Sequence, residues 1–215
     1  MNGITLNYEV CGSGRPLILL HGNGEDLHIF DKGIEQLKGR FTCFAVDSRD
    51  HGMSSPCPEL HYSDMADDMV AFMDRLNLEN VLFYGFSDGG IIGMLAAMRT
   101  DRITTLVISG ANVTPDGVSP KLKRFMKIMN RFALDSKLAL MLNEPHITAE
   151  DLRKIHAKTL VLAAEREAVT DAETKFIAAN IPGAKLHFIK GEDHGSYIVN
   201  STKFVKYLIY AHTQM

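Results

Sequence analysis

Apolar positions gather along the chain in two ways. Six short runs are nearly continuous in hydrophobicity: "PLILLHG", "FTCFAVD", "VLFYGFS", "TTLVISG", "KTLVLAA" and "KLHFIKG". Most are rich in β-branched or aromatic residues. They read as buried strands, because a strand covered on both faces has no need of polar alternation. Between the runs, apolar residues recur at helical spacing. In "DMADDMVAFMDRL", Met65, Met69, Phe72, Met73 and Leu76 fall on one helical face. Strands alternating with helices predict an α/β fold built on a doubly wound, mostly parallel sheet. "ITLNYEV", ahead of the first run, predicts an antiparallel edge hairpin.

The rhythm breaks once. The stretch between "TTLVISG" and "KTLVLAA" is about twice the usual spacing. It divides the chain into a core of residues 1–110 and 151–215 and an insertion at 111–150, expected to form a short helical lid over the carboxyl ends of the strands. Ser119 is placed as a helix cap and Pro120 as the first helical residue. Leu122, Phe125, Met126, Met129, Phe132 and Ala133 then follow helical spacing. A later helix starts at Thr148, with Asp151 as its capping partner. Phe125, Met126 and Met129 are expected either to line an apolar substrate pocket, since methionine adapts to varied shapes, or simply to pack the lid on the core. Lys121, Lys123, Arg124, Lys127 and Arg131 occupy the other face. That face reads as a solvated surface, or as a basic rim drawing in anionic substrates.

Bulk properties narrow the picture further. The 215 residues carry a formal charge of -3, with 46% hydrophobic residues. This suits a soluble globular domain and gives no sign of nucleic-acid binding. No apolar run approaches the roughly 20 residues of a membrane span. "MNGITLNYEV" lacks the basic-then-apolar order of a signal peptide. Cys11, Cys43 and Cys57 are few and odd in number, as expected of reduced thiols in a cytoplasmic protein. No Cys/His cluster has zinc-ligand spacing. Oligomeric state is left open.

The chemistry concentrates around "GFSDGG". Gly85, Ser87 and Gly89 make G-x-S-x-G at the junction of a buried strand and an apolar helix. A sharp strand-to-helix turn there would project Ser87 outward, beside the free amides of a helix N-terminus. A serine nucleophile needs a base, and His194 in "KGEDHGSY" follows the last predicted strand. The base needs an acid to fix its tautomer. Glu165, Glu167 and Asp171 lie where that acid is expected. Thr170 with Glu173 has the form of a capping box, which gives Asp171 a structural place in the first helical turn, so Glu167 is favoured. An oxyanion needs donors, and the backbone N–H groups of Asn23, in "HGNG", and of Asp88 are expected to supply them. His21 reads as structural or as part of the oxyanion loop.

Taken together, "HGNG", "DSRDHGMS", "GFSDGG", "LVLAAEREAV" and "GEDHGS" resemble the α/β-hydrolase superfamily, and in pattern its small, lid-bearing esterase-like members. The resemblance spans almost the whole chain. It implies Ser87 as nucleophile, Glu167 as acid and His194 as base, with no cofactor. It also implies hydrolysis of a small carboxylic ester or thioester through an acyl-enzyme. Carbon–carbon bond hydrolysis, acyl transfer, perhydrolysis and a non-enzymatic small-molecule receptor are alternatives on the same scaffold. Two positions depart from the family pattern. Glu167 stands where Asp is usual, and Asp50 where Gly is usual. Asp47, Arg49 and His51 are expected to hold the turn around it.

Overall fold

The computed structural model describes residues 2–133 and 135–215. Seven strands form a single sheet in the order β1-β3-β2-β4-β5-β6-β7. They are β1 (Tyr8–Gly12), β2 (Arg15–Leu20), β3 (Phe41–Val46), β4 (Val81–Phe86), β5 (Ile103–Ser109), β6 (Lys158–Arg166) and β7 (Lys185–Asp193). All neighbours are parallel except β1, which runs antiparallel to β3. The six apolar runs therefore coincide with β2 to β7.

The continuity of those runs has a direct cause. Successive strand residues point to opposite faces, and both faces are covered by helices. Ile18 and Leu20 join a cluster with Met65, Met69 and Phe72 of α2 (Tyr62–Arg75) and with Ile91 of α3 (Asp88–Ala97). Ile177 of α7 (Asp171–Asn180) lies in the same cluster. Leu17 and Leu19 face the other way, towards Leu37 of α1 (Asp31–Leu37) and Leu208 of α8 (Val205–Gln214). There Phe204 stacks on Tyr84 with ring centroids 5.2 Å apart. Each fully buried side chain of this size contributes about 1.5–3 kcal/mol.

Two expectations need correction. The N-terminal segment is an antiparallel edge strand but not half of a hairpin with the next strand. β2 is already paired on both sides, by β3 and β4, so β1 pairs with the outer side of β3 instead. "KLHFIKG" is a strand, but not a buried one. As β7 it closes the far edge of the sheet, and of residues Lys185 to Lys190 only Ile189 is buried. Its Lys185 and His187, two residues apart on one face, already carried that signal.

The chain moves outward from β2 to β3 in one direction and from β4 to β7 in the other. Such a reversal opens a crevice at the carboxyl ends of the two central strands, where ligands bind in open α/β sheets. Residues 111–150 hold α4 (Pro120–Ala133) and α5 (Ser136–Asn143), and α6 (Ala149–Leu152) begins at their end. Lys123 N–H bonds the Ser119 carbonyl, as expected for a cap ahead of Pro120. Thr148 and Asp151 form a full capping box. Leu140 and Ile147 anchor the insertion in the core.

Candidate active site

Each candidate side chain sits just past the carboxyl end of a parallel strand. Asn23 follows β2, Ser87 follows β4, Glu167 follows β6 and His194 follows β7. β2 and β4 flank the reversal of strand order, so Asn23 and Ser87 face one crevice.

Ser87 occupies a strained turn. Its φ is 52°, a left-handed value that side chains other than glycine rarely adopt. The turn is that tight because strand β4 passes straight into α3. A Cβ on Gly85 would collide with the Gly89 carbonyl, and one on Gly89 with the Leu20 carbonyl. Both glycines are thus required by close backbone approach. Ser87 N–H is held by the Ser109 carbonyl at 2.8 Å, and the Ser87 carbonyl accepts from Gly90 N–H at 2.9 Å. Asp88 opens α3, so its amide is one of the unpaired donors of a helix start.

His194 Nδ1 is hydrogen-bonded to Glu167 Oε1. The Glu167 side chain is almost fully buried and also accepts Ala164 N–H at 3.0 Å and Ala168 N–H at 2.8 Å. Burial pushes its carboxyl up. The bond and charge of His194 and the two amides outweigh that push, and its pKa lies below the ordinary carboxylate range. The alternatives are placed elsewhere. Asp171 is exposed and pairs with Lys175 at 3.6 Å. Glu165 accepts Gly191 N–H at 2.8 Å across β6 and β7. Thr170 caps α7 as expected, but the Glu173 carboxylate does not return to it. It takes the amides of Val113 and Thr114 instead, each at 2.8 Å.

Ser87 and His194 line one cavity of about 250 Å³. Among the described residues no hydrogen bond joins the two side chains. Catalytic hydrogen bonds are often long without substrate and tighten on binding. The His194 ring packs on Phe86, with centroids 4.9 Å apart. The insertion reaches this cavity through Leu122 of α4 and Met141 of α5. Phe125, Met126 and Met129 do not line it. Met126 is buried at 2% exposure, whereas Phe125 and Met129 are 57% and 41% exposed. The helical period was right, but which arc of the apolar face meets the core depends on how α4 is set down. The basic face lies apart as well: Lys123, Arg124, Lys127 and Arg131 border a separate groove.

Asn23 joins the crevice to the insertion, its amide donating to Asp88 Oδ2 at 2.9 Å and to the Lys137 carbonyl at 3.2 Å. Asp88 is buried. Burial raises its carboxyl despite bonds to Asn23 and Tyr62. His21 is structural. Its Nδ1 donates to the Gly22 carbonyl at 2.7 Å and its Nε2 accepts Ser48 N–H at 3.1 Å, which together fix one neutral tautomer. Asp47 takes the amides of Leu27 and Met53, and Arg49 forks onto buried Asp68 at 2.7 and 2.8 Å. Both hold the turn, as expected.

Sequence reasoning passed over two residues. Gly110, φ 61°, ends β5 beneath the His194–Glu167 pair, and a Cβ there would lie 2.8–2.9 Å from the imidazole. Glu25 lines the cavity itself. Gly110 carries no spacing signal. Glu25 does stand in "HGNGED", next to residues already singled out. Among the described residues, no group of three or more His, Cys, Asp or Glu side chains could hold a metal ion. No helix among the described residues is long and apolar enough to cross a membrane.

Comparison with known proteins agrees with the architecture. The profile of the alpha/beta hydrolase fold family matches residues 15–146. The AB hydrolase superfamily protein YisY of Bacillus subtilis is 26% identical, over 93% of this chain and 92% of that one. The serine hydrolase BPHL of Mus musculus is 24% identical, over 95% and 81% respectively. Among solved structures, an esterase from Exiguobacterium antarcticum superposes with a TM-score of 0.83 at 20% identity, covering 99% of this chain and 97% of its own.

Proposed function

Because the chain belongs to the alpha/beta hydrolase family, we propose that it is a serine hydrolase cleaving a small carboxylic ester or thioester through an acyl-enzyme. Ser87 is the nucleophile, His194 the base and Glu167 the acid that orients it. The observation that carries this reading is the placement of His194, which bonds a buried carboxylate at Nδ1 and borders the Ser87 cavity. An ionised carboxylate only accepts, so Nδ1 bears the proton and Nε2 is left as the basic nitrogen. Nε2 takes the Ser87 proton as Oγ attacks the carbonyl, and returns it to the departing alcohol or thiol. Glu167 stabilises the imidazolium formed between these steps. The Asn23 and Asp88 amides receive the oxyanion, where one donor is worth about 10²–10³ in kcat. Water then repeats the sequence to free the acid. A cavity of about 250 Å³ walled by Phe86, Leu122 and Met141 suits a short apolar group, with residues 111–150 acting as its lid.

The test is acylation. A fluorophosphonate probe should label Ser87, and p-nitrophenyl acetate should give a burst followed by turnover. Ser87→Ala should lose the label and about four to six orders of magnitude in kcat, with the fold retained. A Ser87→Ala protein that turns over near the wild-type rate would end the proposal.

A further inference from the structure

Glu25 places a carboxylate inside the same cavity. Its Oε2 accepts Gly22 N–H at 2.9 Å, so the side chain folds back over its own loop. A methyl built on Gly22 would stand 2.9 Å from Glu25 Oε2 and 3.0 Å from Ser87 Cβ. Carboxylate and serine therefore flank one backbone atom.

His194 is the basic side chain, among the described residues, that shares the cavity with this charge. Among the described residues Glu25 has no lysine or arginine partner, and neither residue type lines the cavity. The nearby cations are committed elsewhere: Lys137 pairs with Asp50 at 2.7 Å, and the basic face of α4 borders its own groove. His194 is bonded to Glu167. Burial pushes the Glu25 carboxyl up, Gly22 N–H and His194 draw it down, and Asp88 and Asp26 push it up again. A partly buried carboxylate without a counter-ion is costly, and a cation supplied by the ligand removes that cost. The attraction between an alkylammonium and a carboxylate is strengthened where water is excluded, and the same carboxylate repels an anion.

We propose that Glu25 anchors an ammonium group of the substrate, so that the cavity takes esters with a cationic nitrogen within a few bonds of the scissile carbonyl. The assignment rests on the serine-hydrolase reading of this cavity. Phe86, Leu122 and Met141 supply apolar walls for the alkyl groups around that nitrogen.

Two isosteric ester pairs test the proposal on wild type and Glu25→Gln. One pair is p-nitrophenyl trimethylammonioacetate and p-nitrophenyl tert-butylacetate, with the charge in the acyl group. The other is acetylthiocholine and 3,3-dimethylbutyl thioacetate, with the charge in the leaving group. The quantity read is the ratio of kcat/KM for the cation to that for its neutral partner. Comparing this ratio between the two proteins cancels the intrinsic reactivity of each ester. For at least one pair it should fall by about tenfold or more in Glu25→Gln. A ratio unchanged within about threefold for both pairs overturns the proposal, because a carboxylate that only holds the loop or supports the imidazolium affects both esters alike. Calorimetric titration of wild type with butyltrimethylammonium and with butanoate needs neither turnover nor a variant. The cation should bind at least about tenfold more tightly; equal or reversed affinities refute the anchor. An unlabelled Ser87 with this cation preference intact would refute the hydrolase reading alone.

Discussion

Glu167 and Asp171 lie four residues apart, either side of the start of α7, and their surroundings differ completely. Glu167 is buried, holds His194 Nδ1 and takes two amides. Asp171 stands in solvent beside Lys175. An amide in place of the Glu167 carboxylate can turn its NH₂ towards Nδ1, which stabilises the tautomer that has its proton on Nε2. That tautomer cannot accept the Ser87 proton. Glu167→Gln should therefore lower kcat by about three to four orders of magnitude at neutral pH, with circular dichroism unchanged. Asp171→Asn should stay within about twofold of wild type, since an exposed pair contributes little. Steady-state kinetics on the two variants decides it, and the reverse ranking would move the acid to Asp171. A Cβ at Gly110 would crowd both members of the pair, the imidazole at 2.8 Å and Glu167 Oε1 at 3.3 Å.

At the scale of the element, Asp50 matters most for the insertion. It has φ 60°, the left-handed conformation for which the family pattern uses glycine. Its carboxylate does what glycine cannot. It bonds Lys137 Nζ at 2.7 Å and Ser136 Oγ at 3.3 Å, both in α5, and Cys57 N–H at 3.1 Å. Burial works against this charge, but Lys137 and the Cys57 amide hold its pKa below the ordinary value. Asp50→Gly removes the backbone strain and the tether together. The half-buried pair contributes about 1 kcal/mol, so local opening of α5 should rise about fivefold. Faster hydrogen exchange at Ala139 to Asn143, with the sheet unaffected, is the expected result; unchanged exchange there would show that α5 is held by its apolar contacts alone. α4 is tied to Asp116 through Lys123, and Phe125, Ile128, Met129 and Phe132 remain exposed along it.

Across the whole molecule, His21 links stability to acidity. Burial lowers its pKa from 6.5 to about 4, outweighing the bond from Nδ1 to the Gly22 carbonyl, and a proton on Nε2 would also break the bond from Ser48 N–H. The unfolded chain protonates this histidine near pH 6.5 and the folded chain only near 4. Between those values the unfolded state binds more protons, so this contribution is complete above pH 6.5 and is lost as pH falls towards 4. The difference corresponds to about 3 kcal/mol. Urea unfolding from pH 7 to pH 4 should show that loss, and His21→Asn should flatten it while lowering stability at pH 7. Parallel pH profiles for the two proteins would mean that His21 ionises in the fold as freely as outside it.

Much of this organisation was legible in the order of residues. The strands β2 to β7, the apolar faces of α2 and α4, and the caps at Ser119, Thr148 and Thr170 follow from local periodicity and local hydrogen bonding, both written within a few residues. The "GFSDGG" turn is legible for the same reason, since strand, small residues and helix are contiguous. Chain order also put Ser87, Glu167 and His194 at one sheet edge, because consecutive parallel strands end on the same side. Other features depend on contacts between residues distant in the chain, and only the tertiary structure decided them. β1 paired with the open side of β3 because both sides of β2 were taken, and β7 became an exposed edge because no described strand pairs with its outer side. The roll of α4 brought Leu122, rather than Phe125 or Met129, to the cavity. Asp50 and Lys137 met across a long separation in sequence. Gly110 came to lie under a pair formed by two later loops, and Glu25 acquired its meaning only when folding brought it beside Ser87 in a cavity that no described lysine or arginine lines.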